Sequence, residues 1–139
     1  MANYKWSICE PDQKEVVEKG SIQKENIMET FEQFPWIDRL LKMAAMKEDE
    51  ICFSPSLGFK NVDNNSAVEF SIIGDEAENE FYIFYIRPKT IKRLFGLLQT
   101  DMEKYMSDIT GQTKEDAIKF LKAFIGDDVD YMEAKMKVK

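Results

Sequence analysis

Cys52 and Ser54, separated by one residue, are the side chains whose type and spacing come nearest to nucleophilic chemistry. A thiol or hydroxyl reacts only when a base stands within hydrogen-bond reach. The chain contains no histidine, which removes Ser-His-Asp and Cys-His arrangements and every histidine-containing zinc site. Spacing assigns neither a lysine nor a carboxylate as a substitute base. With 26 Asp and Glu residues, paired carboxylates arise from composition, and their presence does not imply glycosidase chemistry. The reading is a protein that is not an enzyme, with no catalytic residue, cofactor or metal assigned.

Three charged clusters remain. Asp75, Glu76, Glu78 and Glu80 place four acids in six residues. Asp127, Asp128, Asp130 and Glu133 form a second acidic set, and Arg87, Lys89, Lys92 and Arg93 a basic one. The first set reads either as a solvated turn that keeps a hairpin soluble or as a contact surface for a basic partner protein, where complementary charge raises association rate and specificity. A metal-binding loop is a lesser alternative. Asp128-x-Asp130 lacks the glycine at the sixth position and the bidentate Glu at the twelfth that an EF-hand loop needs. The basic set reads either as locally paired with acids such as Asp101 or the C-terminal set, or as an anion-binding site at a helix start, where backbone N–H groups and side chains converge. No glycine-rich turn precedes it, so it is no P-loop.

The elements that must position these groups follow from hydrophobic periodicity. Tyr4, Trp6 and Ile8 alternate with polar residues and predict a short strand. Glu10 to Gly20, charged and punctuated by Pro11, reads as a connector or irregular helix. Ile27, Phe31 and Phe34 share a helical face up to Pro35, and Ile37, Leu40, Leu41 and Ala44 predict the buried stripe of a second helix. Ile51, Phe53, Leu57 and Phe59, interrupted by Pro55 and Gly58, suggest an irregular strand or a strand pair at a sheet edge, and Asn61 to Ser66 a turn.

The clearest strands are Val68–Phe70–Ile72 and the run Phe81 to Ile86, joined through Gly74 to Asn79 as an antiparallel hairpin. The second of them, apolar on both faces, must be covered twice or pack at an interface. If Tyr82, Phe84 and Ile86 stay uncovered, that sheet face is free to form a homodimer. Ile91, Leu94, Phe95 and Leu98 predict a helix from about Pro88 to Gln99, and Met102, Tyr105, Met106 and Ile109 favour helix over 100–109. The last helix starts at Thr113, buries Ala117, Phe120, Leu121, Phe124 and Ile125, and ends at Gly126, expected in the left-handed conformation. Residues 127–139 read as a partly ordered polar tail anchored by Val129, Tyr131, Met132 or Met136.

The expected fold is therefore α+β: one layered domain over residues 1–139, an antiparallel meander of about four strands packed with four or five helices. With 44% hydrophobic residues, it carries enough apolar material to fold alone. Cys9 and Cys52 both sit in apolar stretches and read as reduced core thiols.

A formal charge of −7 argues against nucleic-acid binding, which needs clustered cations on the contacting face. The N-terminal residues lack the apolar run of a secretory signal, and no window holds the ~18 apolar residues of a membrane span, so the expectation is cytoplasmic with no membrane partner. These exclusions favour a small acidic protein-interaction module of the immunity or inhibitor type, contacting a basic protein through Asp75, Glu76, Glu78 and Glu80. Anion or small-ligand binding at Arg87, Lys89, Lys92 and Arg93 is the alternative.

Overall fold

Alternation along Tyr4–Cys9 produces strand β1, with Tyr4, Trp6 and Ile8 on the side of the sheet that also carries Leu57 and Phe59. The computed structural model of the chain describes residues 3–93, 96 and 98–137, and only the backbone of 91–93. The further strands are β2 (Val17–Ile22), β3 (Ser56–Asn61), β4 (Ser66–Gly74), β5 (Asn79–Arg93) and β6 (Leu98–Gln112). They pair antiparallel throughout in the order β2-β1-β3-β4-β5-β6. The helices are α1 (Lys24–Gln33), α2 (Trp36–Ala44), α3 (Lys114–Ile125) and α4 (Val129–Lys137), with a 3-10 turn at Glu48–Glu50. This is an α+β fold, with six strands among the described residues where about four were expected.

The helices collect on one face. Phe31 of α1 meets Phe70 and Phe81 at ring-centroid distances of 5.0 and 5.8 Å, and Trp36 of α2 meets Phe81 at 5.0 Å. Phe120 and Phe124 of α3 pack against Tyr85 and Tyr4, while Met132 and Met136 of α4 are buried in the same core. Each large apolar side chain removed from water there contributes about 1.5–3 kcal/mol. The α1 face is as the spacing predicts, with Ile27 and Phe31 fully buried. In α2 the buried stripe is displaced: Trp36 and Leu40 are buried, whereas Ile37 and Leu41 are exposed. Trp36 turns the helix by reaching back, its Nε1 donating to the Phe31 carbonyl at 3.1 Å.

Other expectations are corrected. The connector predicted between Glu10 and Gly20 ends in strand β2, which has almost no buried side chain and exists because its backbone pairs with β1, a contribution that periodicity does not register. The helix predicted from Pro88 to Gln99 does not form: β5 continues through Pro88 to Arg93, and 100–109 is strand β6. A proline inside a strand is tolerated where the ladder is already broken, and the β5–β6 register shifts between Arg87 and Lys89. Leu94, Phe95 and Leu97 lie outside the described residues.

Helix α3 matches its expected start. Thr113 Oγ1 accepts from the Asp116 N–H at 3.0 Å, and Asp116 Oδ2 accepts from the Thr113 N–H at 2.9 Å, a reciprocal capping box. Its end differs: Gly126 has φ −85°, and the left-handed residue is Asp127, at φ 55°. The segment expected as a polar tail contains helix α4, seated by Met132 and Met136. None of the described helices is long and apolar enough to cross a membrane.

Candidate functional site

The β4–β5 turn carries the first acidic set and is held by one of its members. Asp75 Oδ1 accepts from the N–H groups of Ala77 and Glu78, both at 2.8 Å, and the Asp75 N–H donates to the Glu78 carbonyl at 2.8 Å. Those donors lower the pKa of Asp75 below the ordinary aspartate value. Gly74 has φ +113°, and a Cβ on it would stand 2.3 Å from the Glu78 carbonyl oxygen, so only glycine fits. Glu76 and Glu78 on this locked turn, and Glu80 at the start of β5 opposite Ile73, are exposed, and among the described residues no ion pair engages them. The four predicted contact residues are thus together in space, but Asp75 is committed to the turn.

The basic set and the second acidic set meet each other instead. The side chain of Arg87, on the helix-covered face of β5, is only 6% exposed. Its Nη2 and Nε donate to the two carboxylate oxygens of Glu133 at 2.7 and 2.8 Å, and its Nη1 donates to Ser107 Oγ at 2.8 Å. Lys89 Nζ adds a third donor to Glu133 at 3.2 Å. The Arg87 guanidinium also lies over the rings of Tyr85 and Tyr105, at 4.4 and 4.8 Å. These donors, Arg87 foremost, pull the pKa of Glu133 down against the opposing effect of burial. Lys92 and Arg93 are placed on β5 opposite Gln99 and Leu98, and their side chains lie outside the described residues. The helix N-terminus on which the anion-site reading depended is a strand, and Arg87 already has a carboxylate.

On the uncovered face of the sheet, Tyr82 and Phe84 stack with centroids 4.4 Å apart and planes at 8°. Tyr82 donates its hydroxyl to the Asp108 carboxylate on β6, which raises the phenol pKa. Among the described residues no helix covers Tyr82, Phe84 and Ile86, and all three are half-buried.

Farther across that face Cys9 Sγ lies 3.8 Å from Glu69 Oε1. Burial, then the neighbouring Glu69, pushes the Cys9 thiol pKa up to about 11, and burial raises that of Glu69. Cys9 is thus a protonated, poorly nucleophilic thiol. Cys52, expected in the core, is exposed. It sits in an extended segment ahead of Pro55, its thiol donating to the Glu50 carbonyl at 3.7 Å.

Pairing of the basic set with the C-terminal acids was one of the two readings of the sequence, and Glu133 is the acid that Arg87 and Lys89 meet. Sequence reasoning missed the Cys9–Glu69 contact, which had no signal, since the two residues are 60 positions apart. No known family model, curated protein or solved structure matches the chain.

Proposed function

We propose that this chain is a non-enzymatic protein-interaction module that binds a basic partner protein through its β4–β5 tip, in the manner of an immunity or inhibitor protein masking a cationic surface. The observation that carries the reading is the contrast between the two acidic sets. Glu133 of the second set is consumed by Arg87 and Lys89, whereas Glu76 and Glu78 project from a turn locked by Asp75 and Gly74, and Glu80 from the strand that follows it, with no ion pair to them among the described residues. A preorganised cluster of like charge loses little freedom on binding, and its field accelerates encounter with an oppositely charged surface.

The test replaces Glu76, Glu78 and Glu80 together with Gln, leaving Asp75 to hold the turn. Proteins captured from the source cell by the parent chain, at about 50 mM salt and again at about 500 mM, should be basic, with association slowed at least tenfold by either the substitutions or the salt. Partners whose association is indifferent to both would overturn the proposal.

A further inference from the structure

Strand β6 closes the sheet on one side, pairing with β5 alone, and it runs for 15 residues. It also carries three of the large apolar side chains that are exposed among the described residues, Leu98, Met102 and Met106, the last at 57%. The β5–β6 hairpin outruns its support. Pairing between β4 and β5 ends at Ala67–Ile86, yet β5 and β6 stay paired as far as Arg93–Leu98. Six residues beyond Arg87, or roughly 20 Å, therefore form a two-stranded arm. Such a ribbon is marginal in water, and a third strand is what stabilises it.

From this geometry we infer that β6 pairs antiparallel with β6 of a second copy about a two-fold axis at Met106, joining the two sheets into one. The spacing of charge along the edge suits a second copy of the same strand. Lys104, Met106 and Asp108 occupy alternate positions. When Met106 faces its own counterpart, Lys104 of each copy falls opposite Asp108 of the other, two reciprocal pairs made from one sequence.

The same register lays the unsupported arm strand, 100–104, beside residues 108–112 of the second copy. Each arm thereby gains its third strand. The β6 bulges, near 103–104 and 110–111, and the edge charges discourage pairing with an arbitrary strand, while the self-complementary spacing admits this one.

Sedimentation velocity on the full chain should give twice the 16.3 kDa of one chain at tens of micromolar. Met106→Lys, at an exposed position, should keep the melting profile and weaken association at least tenfold, whereas Leu41→Lys, on the exposed side of α2, should leave it unchanged. In a Cys52→Ser background, Met106→Cys should form an interchain disulfide on mild oxidation, because directly opposed residues of antiparallel strands approach within disulfide reach. Met102→Cys, which faces Thr110 in this register, should not. A folded chain that stays at 16.3 kDa up to about 1 mM would overturn the inference. So would a dimer that ignores Met106→Lys and is not cross-linked at 106, which would move the contact to the face bearing Tyr82 and Phe84. Neither result bears on the acidic tip, which is tested separately.

Discussion

Arg87 on β5 and Glu133 on α4 close a two-pronged pair, with Nη2 and Nε at 2.7 and 2.8 Å from the two carboxylate oxygens, and this pair ties the last helix to the base of the β5–β6 arm. The guanidinium is buried against Tyr85 and Tyr105. Its charge is therefore compensated by Glu133 and by cation–π contact more than by water.

Glu133→Ala leaves that guanidinium with Ser107, the Tyr85 carbonyl and two aromatic rings but no carboxylate. Breaking one side of a buried pair costs about 3–5 kcal/mol, and chemical denaturation should show a loss of this order. Replacing both partners, Arg87→Met with Glu133→Leu, should recover most of it, because neither charge then remains desolvated. A double variant as unstable as the single one would mean that Arg87 is held mainly by packing.

The same pair predicts the direction of acid sensitivity. The pKa of Glu133 is held below its ordinary value by Arg87 and Lys89, so the folded state binds its proton less readily than the unfolded chain does. The stability it contributes is complete above the unfolded value, about 4.3, and is lost as pH falls through the lower folded value. Melting temperature followed downward from pH 6 should therefore drop more steeply in the parent than in Glu133→Gln. Parallel curves would refute the assignment.

Glu69 should behave in the opposite sense. Burial raises its pKa, so its contribution to stability is present below the unfolded value and declines as pH rises through the folded one. Glu69→Gln keeps an acceptor for the Cys9 thiol and removes the charge. It should raise the melting temperature at neutral pH, with the gain vanishing below about pH 4. A variant that melts lower than the parent at neutral pH would show that the carboxylate is worth more than its desolvation costs.

The sequence by itself determined the elements whose stabilisation is local. Helix α3 could be read from Thr113 and its apolar face, and the β4–β5 hairpin from alternation around a Gly-Asp turn, because caps, turns and amphipathic faces act within a few residues. The acidic tip was legible for the same reason. Only the tertiary structure decided the strands β2 and β6 and the continuation of β5 past Pro88. The run around Ile91 and Leu98 has helical spacing, and the backbone ladder that pairs Lys89–Arg93 with Leu98–Met102 of β6 overrode it. Tertiary packing also decided which charges are spent: Arg87 and Glu133 lie 46 positions apart, and the sequence offered the C-terminal acids only beside Asp101 and a free anion as partners of the basic set. Cys52 and Ser54, the nearest approach to nucleophilic chemistry, were limited by the sequence alone, since a chain without histidine offers them no imidazole base. The fold added that Cys52 is exposed while the other thiol, Cys9, is kept protonated by burial and then by the neighbouring Glu69.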